Sequence, residues 1–179
     1  MLDGSRKILF FGSVDPRLVR GGRAVQKKYV TLEFTLNLLF MANTRSVTVR
    51  MKSDLSYEST NPQGNRVDID MHDPEQKQAQ SPMELLLSAL GGCASVDAVL
   101  MMKKKRRALL DFFVEVEGLR NDGVPGYYTD ITLHFVLVSP DATEEEFEKV
   151  VALSVEKYCS VASSLSSKIS FTSEVRRSA

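Results

Sequence analysis

Only two cysteines occur in the 179 residues, too few to staple a secreted domain of this size with disulfides. They stand at positions 93 and 159, without a C-x-x-C pair or metal-ligand spacing, so a structural zinc site is not expected. Net charge is missing too. The 23 Lys and Arg balance 23 Asp and Glu, leaving no excess of one sign to recruit nucleic acid or an anionic membrane. At neutral pH a protein so close to zero charge often gains solubility by assembling. The apolar stretch from Tyr29 to Met41 is too short to span a bilayer, and Glu33 and Asn37 interrupt it. No small-residue cleavage signal follows a continuous apolar core, so a cytoplasmic location is expected.

What is present is enough for a core: 43% of residues are hydrophobic, which suits one domain, or one domain plus an extension. From Ser46 onward the signals are orderly. Ser46 to Lys52 and Val67 to Met71 alternate apolar and polar residues as half-buried strands do, and Asn61-Pro62-Gln63-Gly64-Asn65 is rich in turn formers. A hairpin follows, with Asp54 to Thr60 open to strand or loop. Ser81-Pro82-Met83-Glu84 starts a helix running toward Lys103: Ser81 caps, Pro82 suits the first position, and Glu84 completes a capping box. Apolar residues surround most of this helix, which predicts a buried helix rather than a surface one. Gly91-Gly92 in its middle costs roughly 1 kcal/mol per glycine relative to alanine, so close approach of another backbone is expected there.

The basic run Lys103 to Arg107 complements the carboxyl end of that helix and reads as solvated, because no aromatic residues interleave for nucleic-acid contact. Asp111 to Leu119 and Tyr127 to Val138 predict a second hairpin around the turn residues 121–126. Thr143-Glu144-Glu145-Glu146 reads as another capping box, followed by Phe147, Val150, Val151, Ser154, Val155 and Tyr158 at helical spacing. A break falls at Cys159-Ser160, a short helix covers Val161 to Ser166, and Lys168 to Val175 alternates as a last strand. The order ββαββααβ is an α+β pattern. Residues 1–40 fall outside it and read as an extension, mobile or contributed by an upstream start codon, with a strand over Tyr29 to Phe40 as the alternative. Residues 41–179 form the domain.

Two thiols far apart in sequence, in different surroundings, suggest a pair that reacts with something and then with each other. Cys93 lies in Gly91-Gly92-Cys93-Ala94-Ser95 on the most apolar helix, and Cys159 closes the amphipathic Val155-Glu156-Lys157-Tyr158-Cys159-Ser160 segment. Asp97 is one turn after Cys93, on the same face, where it is either a satisfied structural carboxylate or a group that orients an arginine. His134 alternates with core residues and reads as a paired polar residue, and His72 as a loop residue.

Ser81-Pro82-Met83-Glu84-Leu85, then Gly92-Cys93-Ala94, then Glu156-Lys157-Tyr158-Cys159-Ser160-Val161 resemble the OsmC/Ohr family, and within it the YhfA-like branch, over Ser46 to Val175. The resemblance implies an OsmC-like α+β fold, with antiparallel sheets wrapped around central helices in an intertwined homodimer and two sites at its interface. It implies a cysteine-based peroxidase acting on organic hydroperoxides in oxidative stress defence. Cys93 matches the peroxidatic thiol and Cys159 the resolving thiol, a dithiol or lipoyl-type molecule is the reductant, and no metal or bound cofactor is required. The family's glutamate directly follows the proline, whereas here Met83 takes that slot and Glu84 comes one residue later. An arginine that holds the thiolate has Arg50 and Arg66 as its nearest candidates, and Gly21-Gly22-Arg23 lies on the wrong side of the first strand.

On a continuous helix Glu84 and Cys93 are about 13.5 Å apart along the axis and on opposite faces. Glu84 therefore serves the site from the partner's helix or by anchoring a basic residue, unless it is a cap alone. Leu86, Leu90 and Val96 would give apolar walls suited to a bulky peroxide. The rival expectation, motivated by Met83 and the unassigned arginine, is a non-enzymatic protein of the same fold that binds small apolar molecules or senses redox state through its thiols.

Overall fold

Alternation of apolar and polar residues builds two three-stranded sheets in the computed structural model, which describes residues 44–177. The chain divides into two units between Ser46 and Val47. Every strand and helix among the described residues belongs to the second. The expectation for residues 1–40 lies outside the described residues.

The first sheet is a meander of β1 (Thr48–Met51), β2 (Ser56–Thr60) and β3 (Arg66–Asp70). Asp54 to Thr60, open to strand or loop in the sequence, thus supplies a strand, and the order before the long helix is βββ rather than ββ. Tyr57 opposes both Met51 and Ile69, fixing an antiparallel register on each side. The β2–β3 turn is held by the Asn61 side chain, which accepts from the amides of Gln63 and Asn65. Gly64 takes φ +85°, a conformation that disfavours any residue with a Cβ. Strand alternation puts Val49, Met51 and Val67 on one face, where all three are exposed.

Helix α1 runs from Pro82 to Lys104. Its capping box is formed as the sequence predicts: Ser81 Oγ accepts from the Glu84 amide, and the Glu84 carboxylate accepts from the Ser81 amide at 2.7 Å. The second sheet follows, with β4 (Asp111–Arg120), β5 (Tyr128–Val138) and β6 (Lys168–Arg176) in that order. β4 and β5 pair antiparallel, but β5 and β6 are parallel, which departs from the all-antiparallel expectation. The crossover between them is helix α2 (Glu144–Leu153), a π-helical turn (Ser154–Tyr158) and a 3₁₀ turn (Ala162–Ser164). Parallel strands need such a long connection, and the capped helix provides it.

Only half of the second capping box forms. Thr143 Oγ1 accepts from the Glu146 amide, but the Glu146 carboxylate is taken by Arg107, whose guanidinium donates to it through Nε and Nη2 at 3.0 and 2.8 Å. Arg107 is therefore not part of a solvated helix end. It ties the chain just past α1 to the start of α2.

One stripe of α1, Leu90, Ala94, Ala98 and Met102, is fully buried and shares a core with Ile131, Leu133, Phe135 and Phe147. Burying each large aliphatic or aromatic side chain contributes about 1.5–3 kcal/mol. The buried helix that the sequence predicts is covered only in part within this unit: Val96 and Leu100 on another face are 59% and 57% exposed. The helix is long and apolar enough to cross a membrane by length and composition, yet it packs on β4. What meets the glycine pair is side chain, not backbone. A Cβ on Gly91 would lie 2.9 Å from Val116 Cγ2, while one on Gly92 would meet open space.

Candidate functional site

Cys93 and Cys159 are brought together by the packing of α1 against the π-helical turn. Cys93 is partly exposed on α1, and Cys159 is buried at the end of the turn. Both are free thiols, near enough for Cys93 to influence the Cys159 thiol, whose sulfur also lies 4.0 Å from the Leu90 carbonyl. Burial raises the Cys159 pKa above the ordinary thiol value, the Ala162 amide donating to its sulfur at 3.3 Å opposes this, and Cys93 beside it adds to the rise. Cys159 is thus held as a thiol.

The main chain places Cys159 through two bonds. Its amide donates to the Ser154 carbonyl at 2.8 Å, the five-residue closure of a π turn, and the Cys159 carbonyl accepts from the Ser163 amide at 3.1 Å. Ser154 is fully buried, and its hydroxyl donates to the Ala94 carbonyl of α1 at 2.5 Å. The sequence showed a helix break at Cys159 and placed Ser154 at helical spacing with Phe147, Val150 and Val155, but not the bond this serine makes.

Glu84 is not beside the thiols within one subunit. Its carboxylate caps α1 and binds Lys77 at 2.9 Å, and its pKa is lowered to about 2 by the Lys77 ammonium first and then by the Ser81 hydroxyl and amide. The basic residue that Glu84 holds is Lys77, which makes no hydrogen bond to either sulfur among the described residues. The candidate arginines fare differently. Strand alternation puts Arg50 and Arg66 on the face of the first sheet opposite Val49 and Val67, where Arg66 lies 3.5 Å from Glu58 and Arg50 stands across from the same residue. Among the described residues no guanidinium or ammonium hydrogen-bonds the Cys93 sulfur. Cys93 is thus partly exposed and, among the described residues, not paired with a cation.

Asp97, Leu100, Met101, Val150, Leu153 and Tyr158 line a groove of about 840 Å³, with Lys103, Lys104 and Lys105 at one end. Asp97 sets the near end, one turn from Cys93, and no arginine is oriented by it among the described residues. Of the apolar walls expected from the sequence, Val96 is open to a ligand or partner and Leu90 is not, because it is sealed in the core. His134 is paired as expected, with Nδ1 2.7 Å from Thr172 Oγ1 and Nε2 3.6 Å from Glu174. His72 sits in a loop but is less idle than the sequence suggested: it lies 2.6 Å from the buried Asp70 carboxylate. That carboxylate also accepts the His72 and Gln78 amides, which hold its pKa at about 2.

Comparison with known proteins places this geometry in context. The family model for OsmC-like protein matches residues 72–174. Protein YhfA of Escherichia coli K12 is 38% identical over 94 residues, which cover 52% of this chain and 70% of that protein. Among solved structures, a hypothetical protein from Aquifex aeolicus VF5 aligns with a TM-score of 0.68 and 29% identity, over 76% of this chain and 99% of that one. The organic hydroperoxide resistance protein OhrB of Bacillus subtilis aligns with a TM-score of 0.51 over 74% of this chain and 98% of its own, at 17% identity, a likeness of fold.

Proposed function

Since the chain belongs to the OsmC-like protein family, whose membership supports a thiol redox role in general, we propose that it reduces organic hydroperoxides through Cys93 and Cys159. The observation that carries this is the juxtaposition of two free thiols of unequal exposure, one partly exposed and one buried beside it. The Cys93 thiolate attacks the distal oxygen of the peroxide, the O–O bond breaks, and the alkoxide takes a proton and leaves as an alcohol. Cys93 is then a sulfenic acid. The Cys159 sulfur displaces its hydroxyl as water, forming the disulfide, and an external dithiol such as a lipoyl group restores both thiols while itself becoming a disulfide. A bulky apolar peroxide suits the groove walls of Leu100, Met101, Val150 and Leu153.

Glu84 acts in this proposal from the end of α1, holding Lys77, and not as a base at the sulfur. A second copy of the chain covers the exposed apolar residues of α1 and of the first sheet, with the thiol pair near the interface.

Rapid mixing with stoichiometric cumene hydroperoxide, followed by intact-mass analysis, tests the proposal. Cys93→Ser loses peroxide consumption. Cys159→Ser gives one fast turnover and leaves a Cys93 sulfenic acid that a dimedone-type reagent traps. An unmodified Cys93 in the Cys159→Ser protein while free peroxide persists would sink the peroxidase assignment and leave a binding or sensing role.

A further inference from the structure

Ser154 lies between the two thiols in bonding terms, although it is neither a nucleophile nor a ligand. Its hydroxyl is bonded to the carbonyl of Ala94, the residue that follows Cys93 on α1. Its carbonyl accepts from the amide of Cys159. Two hydrogen bonds through one buried serine therefore join the backbone next to one sulfur to the backbone of the other. The turn that Ser154 opens, Ser154–Tyr158, is π-helical. Such turns are rare, less favourable than continued α-helix, and occur mostly as single turns near functional sites.

The consequence is geometric. If α2 continued as regular α-helix, the Cys159 amide would bond to Val155 instead, and each residue beyond the change would be rotated by about 100° about the axis. The Cys159 sulfur would then swing away from α1. A disulfide tolerates little such movement, because its Cβ atoms must lie about 3.5–4.5 Å apart. We propose that Ser154 is a positioning residue: by fastening the π turn to the Ala94 carbonyl, it holds the Cys159 thiol in register with Cys93 and so favours the step that joins them.

That step is the condensation of the Cys93 sulfenic acid with the Cys159 thiol, which forms the S–S bond and releases water, so the inference rests on the proposed function. Ser154 contributes no atom to it. Its effect is on the reduced state: with the hydroxyl gone, the reduced turn relaxes toward α-helix, and this relaxation must be undone each time the disulfide forms. The same reasoning applies when the disulfide is made by exchange with another disulfide, which allows a test that needs no peroxide.

The test is the equilibrium between the protein dithiol and its Cys93–Cys159 disulfide in glutathione buffers of graded ratio, read by acid quench and intact mass. The wild type forms the disulfide. Ser154→Ala lowers the equilibrium constant about tenfold, which is about 30 mV for a two-electron couple. Ser139→Ala, which removes another fully buried serine hydroxyl bonded only to Asp141 and Ala142, leaves the constant unchanged. Should Ser154→Ala not fold, Ser154→Thr and Ser154→Val give the comparison at constant shape, with the loss confined to valine. A Ser154→Ala constant equal to wild type, or equal constants for threonine and valine, would overturn the inference and leave the proposed function standing. A folded wild type that forms no Cys93–Cys159 disulfide at any ratio would overturn both.

Discussion

Gly91 of α1 faces Val116 of β4 so closely that a Cβ at position 91 would come within 2.9 Å of Val116 Cγ2 and 3.2 Å of Val114 Cγ1. A Cβ on the adjacent Gly92 would have nothing within 4 Å. The two glycines should respond to alanine with opposite sign. Gly91→Ala overpacks the helix–sheet contact and destabilises by about 1–3 kcal/mol. Gly92→Ala removes backbone freedom from the unfolded chain and stabilises by roughly 0.5–1 kcal/mol. Urea midpoints of the two variants check this, and a destabilised Gly92→Ala would mean that a second copy lies against that glycine.

Much of this arrangement is legible in the sequence, and where it is not the reason is physical. The Ser81–Glu84 cap, the β4–β5 hairpin and the final strand are local, so alternation and capping chemistry suffice to find them. Sheet polarity is not local: Lys168 to Val175 has the same alternation whether it pairs parallel or antiparallel, and only the length of the α2 crossover decides. Glu146 shows the same limit. Its spacing from Thr143 fits a capping box, but the tertiary contact with Arg107 wins its carboxylate. At the site both cysteines could be picked out, because few residue types do their chemistry. Ser154 could not, since a serine on a helix carries no mark of the carbonyl it will meet on another.

Unequal reactivity of the thiols follows from their surroundings. Cys159 is 1% exposed, and burial raises its pKa above the ordinary 9.0, whereas Cys93 is partly open. Since the thiolate is the nucleophile, iodoacetamide at pH 8 should alkylate Cys93 first and Cys159 at least about tenfold more slowly in the folded protein. Peptide mapping of timed, acid-quenched samples measures both rates. Equal rates under native conditions would contradict the packing around Cys159.

The acid limb of stability should carry the marks of Glu84 and Asp70. Both carboxylates are depressed to about 2, Glu84 from 4.5 chiefly by Lys77, and Asp70 from 3.8 chiefly by the His72 amide. A group with a lowered native pKa contributes fully above its unfolded value and loses that contribution as pH falls through the folded one. Stability should therefore decline from about pH 4.5 toward pH 2. Glu84→Gln keeps a side chain able to bond the Ser81 amide but has no charge to titrate, so its urea midpoint should be lower at pH 6 and flatter over that interval. Ser81→Ala, which removes the other half of the box, should cost about 1 kcal/mol at all pH values where the helix is folded.

The exposed apolar residues predict assembly. Val96 and Leu100 project from α1, and Val49, Met51 and Val67 from one face of the first sheet, a distribution that a soluble single unit seldom leaves open. With equal numbers of positive and negative side chains, no net repulsion keeps two copies apart. We expect a homodimer at micromolar concentration by light scattering. Leu100→Glu places a carboxylate where an apolar contact is required and should shift the protein to monomer without unfolding it, since residue 100 is 57% exposed within one unit. The same variant tells whether the thiol chemistry needs the second copy. Single-turnover oxidation of Cys93 that survives in a Leu100→Glu monomer would show a site complete in one chain, whereas its loss both there and in a Val49→Glu monomer, whose substitution lies outside the groove, with the glutathione-driven disulfide still forming, would show that the partner supplies the group that activates Cys93 toward peroxide. A wild-type protein that scatters as a monomer throughout the micromolar range would remove the dimer from the proposal altogether.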